Sequence, residues 1–512
     1  MLIHTPPLNP TILVFAQPFK FKTMKRSIIY IILGFFFLIS CKKVLTEKPK
    51  LISEENFYKT PDEVRSAING IYGPLKTNDL FGFTYAAQLV CYTDFAEGRG
   101  SYAPISQFSG LDNQNIGRVE VFWTQLYQSI RNANNVINNI KNNENLTDDT
   151  KRELLGEVVF LRAFDYFHVI KNWGKAVLRT EDNMLEPDIP LSESSDVFKF
   201  IEDDLKFASE NLPPTTSNAG HPTSGSAKTL LADVYFYQGK YEDALKFSKE
   251  VKELGQYSLV KIATYQDFEY DLYGPDLVTS PEEIFYIKFS RSPGDIGWAY
   301  PAFLSIPRSG YYGGGLSLYA IVMDTSRYNV YVNWDTRDIR RQLWFGLGDL
   351  GFGPNYILSR KFIDPATLTS GTNGGNDYPF YRYADLLLIY AESEARVNGI
   401  NMNAIEALNS VKRRGYGRDP LQSSDVDYKL GDFADLDDFV DTVLKERGYE
   451  NSMEGGKRWF DLKRLGKNKA KEIILAHTGK VIQDRHFLWP FPTAEFDNNG
   501  ALEQSRDQNP GY

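Results

Sequence analysis

The chain has 512 residues and a formal net charge of −9, with 57 Lys and Arg against 66 Asp and Glu. That acidic balance supplies no cationic footprint for displacing counterions from a phosphate backbone, which counts against nucleic-acid binding. With two cysteines, 42% hydrophobic residues and 14% aromatic ones, including 31 Tyr and 34 Phe, the chain reads as globular and held together by packing, not by disulfides.

Met1 to Thr23 lack an export layout, so residues 1–23 read as an upstream extension with translation beginning at Met24. Met24-Lys25-Arg26 is a short basic start, Ile28 to Ile39 is almost wholly apolar, and Ser40 is small, which is the layout of a secretory signal peptide. About a dozen apolar residues make roughly 18 Å of helix, short of the ~30 Å hydrocarbon core, so a spanning helix fits poorly. Leu38-Ile39-Ser40-Cys41 resembles the bacterial lipobox, in which the cysteine is acylated and becomes the new N-terminus. On that reading residues 24–40 are a lipoprotein signal peptide, Cys41 is the lipidation site and 41–52 are a lipidated linker. Two or three acyl chains, at ~0.8 kcal/mol per buried CH2, would then tether the mature chain to a membrane.

Helical periodicity follows, starting at Ser53-Glu54-Glu55-Asn56-Phe57. Thr60 is an N-cap candidate with Pro61 at the first helical position and acids in the first turn. Further helices are expected over Val119–Ile140, Arg152–Lys171, Val197–Asn211 and Ser226–Leu254, the last with a bend. Across that bend Leu231, Ala232, Tyr235, Gly239, Tyr241 and Ala244 reproduce tetratricopeptide (TPR) offsets, where small residues let two helices approach and Gly makes the turn. Ala391, Glu394 and Asn398 open a second such unit, and Arg152 to Ile170 looks like half of another. The fold class is therefore mainly α, a TPR-like helical-hairpin scaffold (α/α superhelix). Into it is set a large irregular insertion with short strand-like pieces such as Glu283–Ile287.

That insertion, residues 257–378, is rich in Gly, Pro, Ser and aromatics. It divides a single domain, 53–512, into an N-terminal helical part (53–256) and a C-terminal part (379–512). Long irregular stretches in compact chains are commonly functional, and the aromatic content argues against disorder.

Three C-terminal stretches carry a family resemblance. They are Tyr381 to Glu392 (YRYADLLLIYAE), Glu446-Arg447 followed by Gly456 to Arg464 (GKRWFDLKR), and Leu488 to Pro492 (LWPFP) with Gln508 to Tyr512 at the end. Together with the lipobox and the helical repeats, the chain resembles the SusD/RagB family of Bacteroidetes outer-membrane lipoproteins. The resemblance implies a non-catalytic protein without cofactors, lipid-anchored and exposed at the cell surface. Such a protein captures a glycan, or in some members a peptide, and delivers it to a SusC-like TonB-dependent transporter.

Sugar rings offer an apolar C–H face to aromatic platforms and a polar rim to Asp, Asn and Arg. The ligand-binding candidates are Tyr85, Tyr92 and Tyr102 with Asp94 and Arg99 beside them, and Trp298, Tyr300, Tyr311, Tyr312, Trp334 and Trp344 in the insertion. Arg382, Asp385, Arg458 and Asp461 read instead as structural ion pairs, and Trp459-Phe460 and Trp489 to Pro492 as packing anchors. No paired-carboxylate spacing singles out a glycosidase, the five histidines show no zinc pattern, and no phosphate loop or nucleophile elbow appears. Rival classes are a secreted hydrolase and a TPR scaffold that binds no small ligand.

Overall fold

Short polar side chains start the helices. The computed structural model describes residues 58–512 apart from 307–308, 313–320, 349–352 and 371–372. The export segment, Cys41 and Ser53–Phe57 lie outside the described residues. Helix α1 (Pro61–Leu75) begins with a capping box: Thr60 Oγ1 accepts from Glu63 N at 3.3 Å while Glu63 Oε2 accepts from Thr60 N at 2.8 Å. α2 (Thr84–Val90) is short and buried. α3 (Asn113–Lys141) starts six residues earlier than expected because Asp112, in a stretch that superficially suggests a calcium loop, accepts from Asn115 N at 2.9 Å. α4 (Asp148–Trp173) is capped by Thr147, and nearly every side chain from Glu157 to Trp173 is buried. A helix enclosed on all sides shows no amphipathic stripe, and this one forms the spine of the core.

α5 (Ser194–Asn211), α6 (Ser224–Gln238) and α7 (Tyr241–Glu253) follow. The expected bend is a full break at Gly239, whose φ of +74° suits a residue without Cβ. Each helix from α3 to α7 packs against the next. The chain then leaves the stack and returns as α9 (Tyr383–Asn398) and α10 (Met402–Gly415), with the short α8 (Asn329–Val332) lying inside the insertion. α7 packs directly on α9, so the helical series continues across the insertion. α11 (Leu436–Asn451), α12 (Lys457–Arg464) and α13 (Lys467–Thr478) complete it.

The insertion is organised by two antiparallel sheets. β1 (Glu97–Gly98), β3 (Ile321–Asp324), β5 (Tyr356–Ser359) and β4 (Trp344–Gly346) stand side by side in that order, with Glu97 opposite Val322. β2 (Glu283–Ile287) pairs with β6 (Tyr378–Arg382) where the insertion leaves and rejoins the helices. β1 thus joins the Tyr92–Tyr102 stretch to the insertion, although more than 200 residues separate Glu97 from its partner Val322.

The family-like C-terminal stretches carry a buried ionic network. Arg382 donates to Glu282 (2.8 Å), Glu450 (2.7 Å) and Glu454 (2.6 Å), and Arg414 pairs with Glu282 at 3.0 Å. Arg340 and Lys361 of the insertion join it through Glu446, Glu450 and Glu454. Asp385 pairs with Lys457, Arg458 with Asp94, and Asp461 with Arg447 and Arg464, so these charges cross-link elements as expected. The C-terminus docks through Trp489 N, which donates to Asn172 O at 2.8 Å, and Asn509 Nδ2, which bridges Trp173 O and Trp489 O. No described helix is long and apolar enough to cross a membrane.

Candidate functional site

The residues after α10 form the loop YGRDPLQSSDVDYKLGD, too rich in Gly, Pro, Ser and Asp to stay helical. It carries Tyr416 and Tyr428 to one wall of a cavity of about 600 Å3. α8 and the turn after it, with Asp335 and Asp338, form a second wall, α11 with Lys445, Glu446 and Tyr449 a third, and α13 with Lys469 and His477 a fourth. Phe95 and Arg458 line it as well. The volume falls within the ~300–1,000 Å3 of ordinary small-ligand sites.

Its aromatic surfaces are braced from behind. Tyr449 stacks on Trp334 with centroids 4.1 Å apart and planes 10° apart, and Trp334 Nε1 donates to Asp338 Oδ2 at 2.9 Å. Phe95 meets Tyr449 edge-on at 6.4 Å. The Lys412 ammonium lies 3.4 Å from the centre of the Tyr428 ring, and Tyr416 Oη donates to Asp335 at 3.2 Å. Burial pushes the Tyr449 phenol up to about 12, so these hydroxyls stay neutral donors at ordinary pH.

The charged groups are mostly matched. Arg458 grips Asp94 through two bonds of 2.8 and 2.6 Å, and His477 Nδ1 lies 2.7 Å from the same carboxylate. Burial alone would raise the Asp94 carboxyl; Arg458, helped by His477, more than reverses this and holds it well below the usual carboxylate range. Hydrogen bonds from Arg337 bring Asp335 down to about 2. Burial raises Glu446, against the pull of Arg340 at 2.7 Å. Every carboxylate of the lining is therefore engaged by a cation. What remains is flat aromatic surface with polar groups around it, a chemistry suited to gripping a ring with hydroxyl substituents. Among the described residues no cluster of His, Cys, Asp and Glu is arranged to hold a metal.

Comparison with known proteins places the chain. The family model described as "SusD family" matches residues 305–512, and one described as "Starch-binding associating with outer membrane" matches 95–236. The chain belongs to the SusD family. SusD-like protein P2 of Formosa agariphila is 24% identical over 96% of this chain and all of the relative. A SusD homologue of Bacteroides thetaiotaomicron superposes with a TM-score of 0.73 at 23% identity, covering 90% of this chain and 98% of the homologue. A laminarin-binding SusD-like protein superposes with a TM-score of 0.70 at 22% identity, covering 89% of this chain and all of the other. At such identities the superpositions establish the SusD-like fold, mainly helical with few short strands.

Within this SusD fold, most of the aromatics expected to meet ligand are core residues. Tyr85 is fully buried, its hydroxyl between His168 Nδ1 (2.7 Å) and Asn172 (2.8 Å). Tyr92 stacks on Trp459 and Tyr102 lies under Arg118 against Phe303. Trp298 donates to Phe81 O, Tyr300 to Met453 O and Tyr312 to Trp298 O, while Trp344 is 5% exposed in the same core. The polar tips of Tyr85, Tyr92, Trp298, Tyr300 and Tyr312 are satisfied internally and all of these rings are buried, so none offers a platform here. Trp334 and Asp94 are also buried, but directly behind the cavity wall, where they orient Tyr449, Arg458 and His477. Only Arg99 and Tyr311 keep partial exposure, both at the four-stranded sheet: Arg99 lies over Tyr356 at 5.6 Å, and Tyr311 lies against Phe345 under Arg360. The cavity's own aromatics Tyr416, Tyr428 and Tyr449 were missed by sequence reasoning. The available signal was two tyrosines in a long polar loop just after a helical hairpin.

Proposed function

We propose that this SusD-family protein binds an oligosaccharide without converting it, using the cavity between α8, α10, α11 and α13 as the capture site. The observation that carries the reading is the set of three tyrosine faces, Tyr416, Tyr428 and Tyr449, around one cavity whose carboxylates are all tied up in ion pairs. Free carboxylates facing a substrate are what a glycosidase needs. Two structural relatives, a laminarin-binding SusD-like protein and surface glycan-binding protein A of Bacteroides fluxus, support the ligand class. Arg99 and Tyr311 on the sheet are a secondary contact region in this reading. Delivery to a SusC-like TonB-dependent transporter, and attachment to the outer membrane through acylated Cys41, complete it. The lipobox-like Leu38 to Cys41 and the match of residues 95–236 to a starch-binding family associating with the outer membrane support that placement.

Calorimetric titration of the purified chain against a glycan panel tests the core of this. At least one oligosaccharide should bind, and Tyr416→Ala should weaken it by about tenfold, the loss of roughly one stacking contact. Binding to peptides alone, or glycan binding indifferent to Tyr416, would overturn it. Mass spectrometry of the chain from its native membrane should find acyl chains on Cys41, and co-purification should recover the transporter.

A further inference from the structure

Each carboxylate around the cavity lies within ion-pair distance of a cation, with Arg340 shared between two of them. Asp335 is held by Arg337 (2.7 Å), Asp338 and Glu446 by Arg340 (2.6 and 2.7 Å), and Asp441 by Lys469 (2.9 Å). On the basic side, Arg458 and His477 are committed to Asp94, which lies behind the wall. Two ammonium groups are left over. Neither Lys412 nor Lys445 forms an ion pair with any carboxylate among the described residues, and both line the cavity.

Lys412 is half-buried, its charge resting on the face of Tyr428 at 3.4 Å, while Lys445 is exposed. The two are near enough to repel. Burial lowers the Lys412 ammonium, Glu446 opposes that, and Lys445 adds to the lowering. Glu446, Asp427 and Asp432 stabilise Lys412 at longer range, but no carboxylate closes on either ammonium, so both keep donors that a bound anion can take up.

We propose that the cavity takes a glycan bearing an anionic group, a uronate carboxylate or a sulfate ester, with Lys412 and Lys445 as the paired counter-charges and Tyr416 and Tyr428 as the stacking faces. This rests on the reading of the cavity as the glycan site. The anion sits between the two ammonium groups, and the sugar ring it belongs to lies against the adjacent tyrosine. Lys445, in solvent, draws the anion in, and half-buried Lys412 forms the stronger, less screened contact.

The test is a set of titrations at low and high salt with oligogalacturonate, sulfated galactan oligosaccharides, and neutral glucan and galactan oligosaccharides of equal length. Wild type, Lys412→Gln/Lys445→Gln and Tyr416→Ala are compared, each checked for an unchanged melting temperature. One acidic series should bind at least about tenfold tighter than its neutral counterpart at low salt, and lose most of that advantage at high salt. The lysine double variant should abolish the preference. Tighter binding of oligogalacturonate assigns a carboxylate, and of the sulfated series a sulfate. If neutral oligosaccharides bind as tightly as acidic ones and Tyr416→Ala abolishes both, the anionic specificity is overturned while the cavity remains the glycan site. If acidic glycans bind with affinity indifferent to Tyr416 and to both lysines, the cavity reading itself falls, and the proposal with it.

Discussion

Tyr449 lies flat on Trp334, ring centroids 4.1 Å apart, with one aromatic lining the cavity and the other buried behind it. The indole is fixed by its bond to Asp338, which also anchors Arg340, so ring orientation at the cavity depends on the insertion keeping its fold. Trp334→Ala should therefore lower stability by about 3–5 kcal/mol and weaken glycan binding as well. Trp334→Phe keeps a flat support and should recover most of the affinity. Urea denaturation and calorimetric titration on the three proteins check this; unchanged affinity in the alanine variant would detach Trp334 from the site.

That pair also shows what sequence could and could not convey. Helix starts such as Thr60-Pro61 and the break at Gly239 are local, because the residues that satisfy or bend the backbone are neighbours in the chain. The strand Glu283–Ile287 is where it was expected. The cavity is different in kind: Tyr416 comes from a loop and Tyr449 and His477 from two separate helices, and they meet only through tertiary packing. In the insertion, residue type misled, since Tyr and Trp serve equally as platform and as core. Whether Trp298 faces ligand or Phe81 O is decided by its neighbours, which composition does not record.

Asp94 couples the cavity's deep end to acid stability. Its folded carboxyl titrates below the unfolded value of about 3.9, so its contribution is present above the unfolded value and is lost as pH falls through the folded one. Asp94→Asn leaves Arg458 buried without a counter-charge and should cost about 3–5 kcal/mol at pH 7. The gap between wild type and variant should narrow on acidification below about pH 4. Denaturation midpoints measured across the acid range decide it; a gap independent of pH would show that Asp94 is not ionised in the folded protein.

Lys171 predicts a slope of the same sign on the alkaline side. It is 6% exposed, with its ammonium over Phe167 and Phe460 at 4.0 and 4.2 Å, and burial lowers it to about 8 against the weaker pull of Asp233 and Asp461. Between about pH 8 and the unfolded value of about 10.4 the unfolded chain binds the extra proton, so stability attributable to this group rises with pH. Lys171→Met, close in volume and uncharged, should be the more stable protein at pH 7. Its advantage should shrink as pH rises through that window. A stability difference flat between pH 7 and 10 would mean the lysine titrates normally.

Arg382 holds the helical series and the insertion to one centre. Its guanidinium reaches Glu282 before β2, and Glu450 and Glu454 at and just after the end of α11, all fully buried. Each ion loses several kcal/mol of hydration on burial, so the network is stable only while every partner is present. Arg382→Met should cost about 3–5 kcal/mol, because three carboxylates then share Arg414, Arg340 and Lys361. Arg382→Lys should recover only part, since a point charge cannot reproduce the planar fork. The discriminating measurement is a double-mutant cycle with Glu454→Gln: a coupling of about 1–3 kcal/mol is expected, whereas additive losses would mean that the two residues stabilise the fold independently despite their 2.6 Å contact.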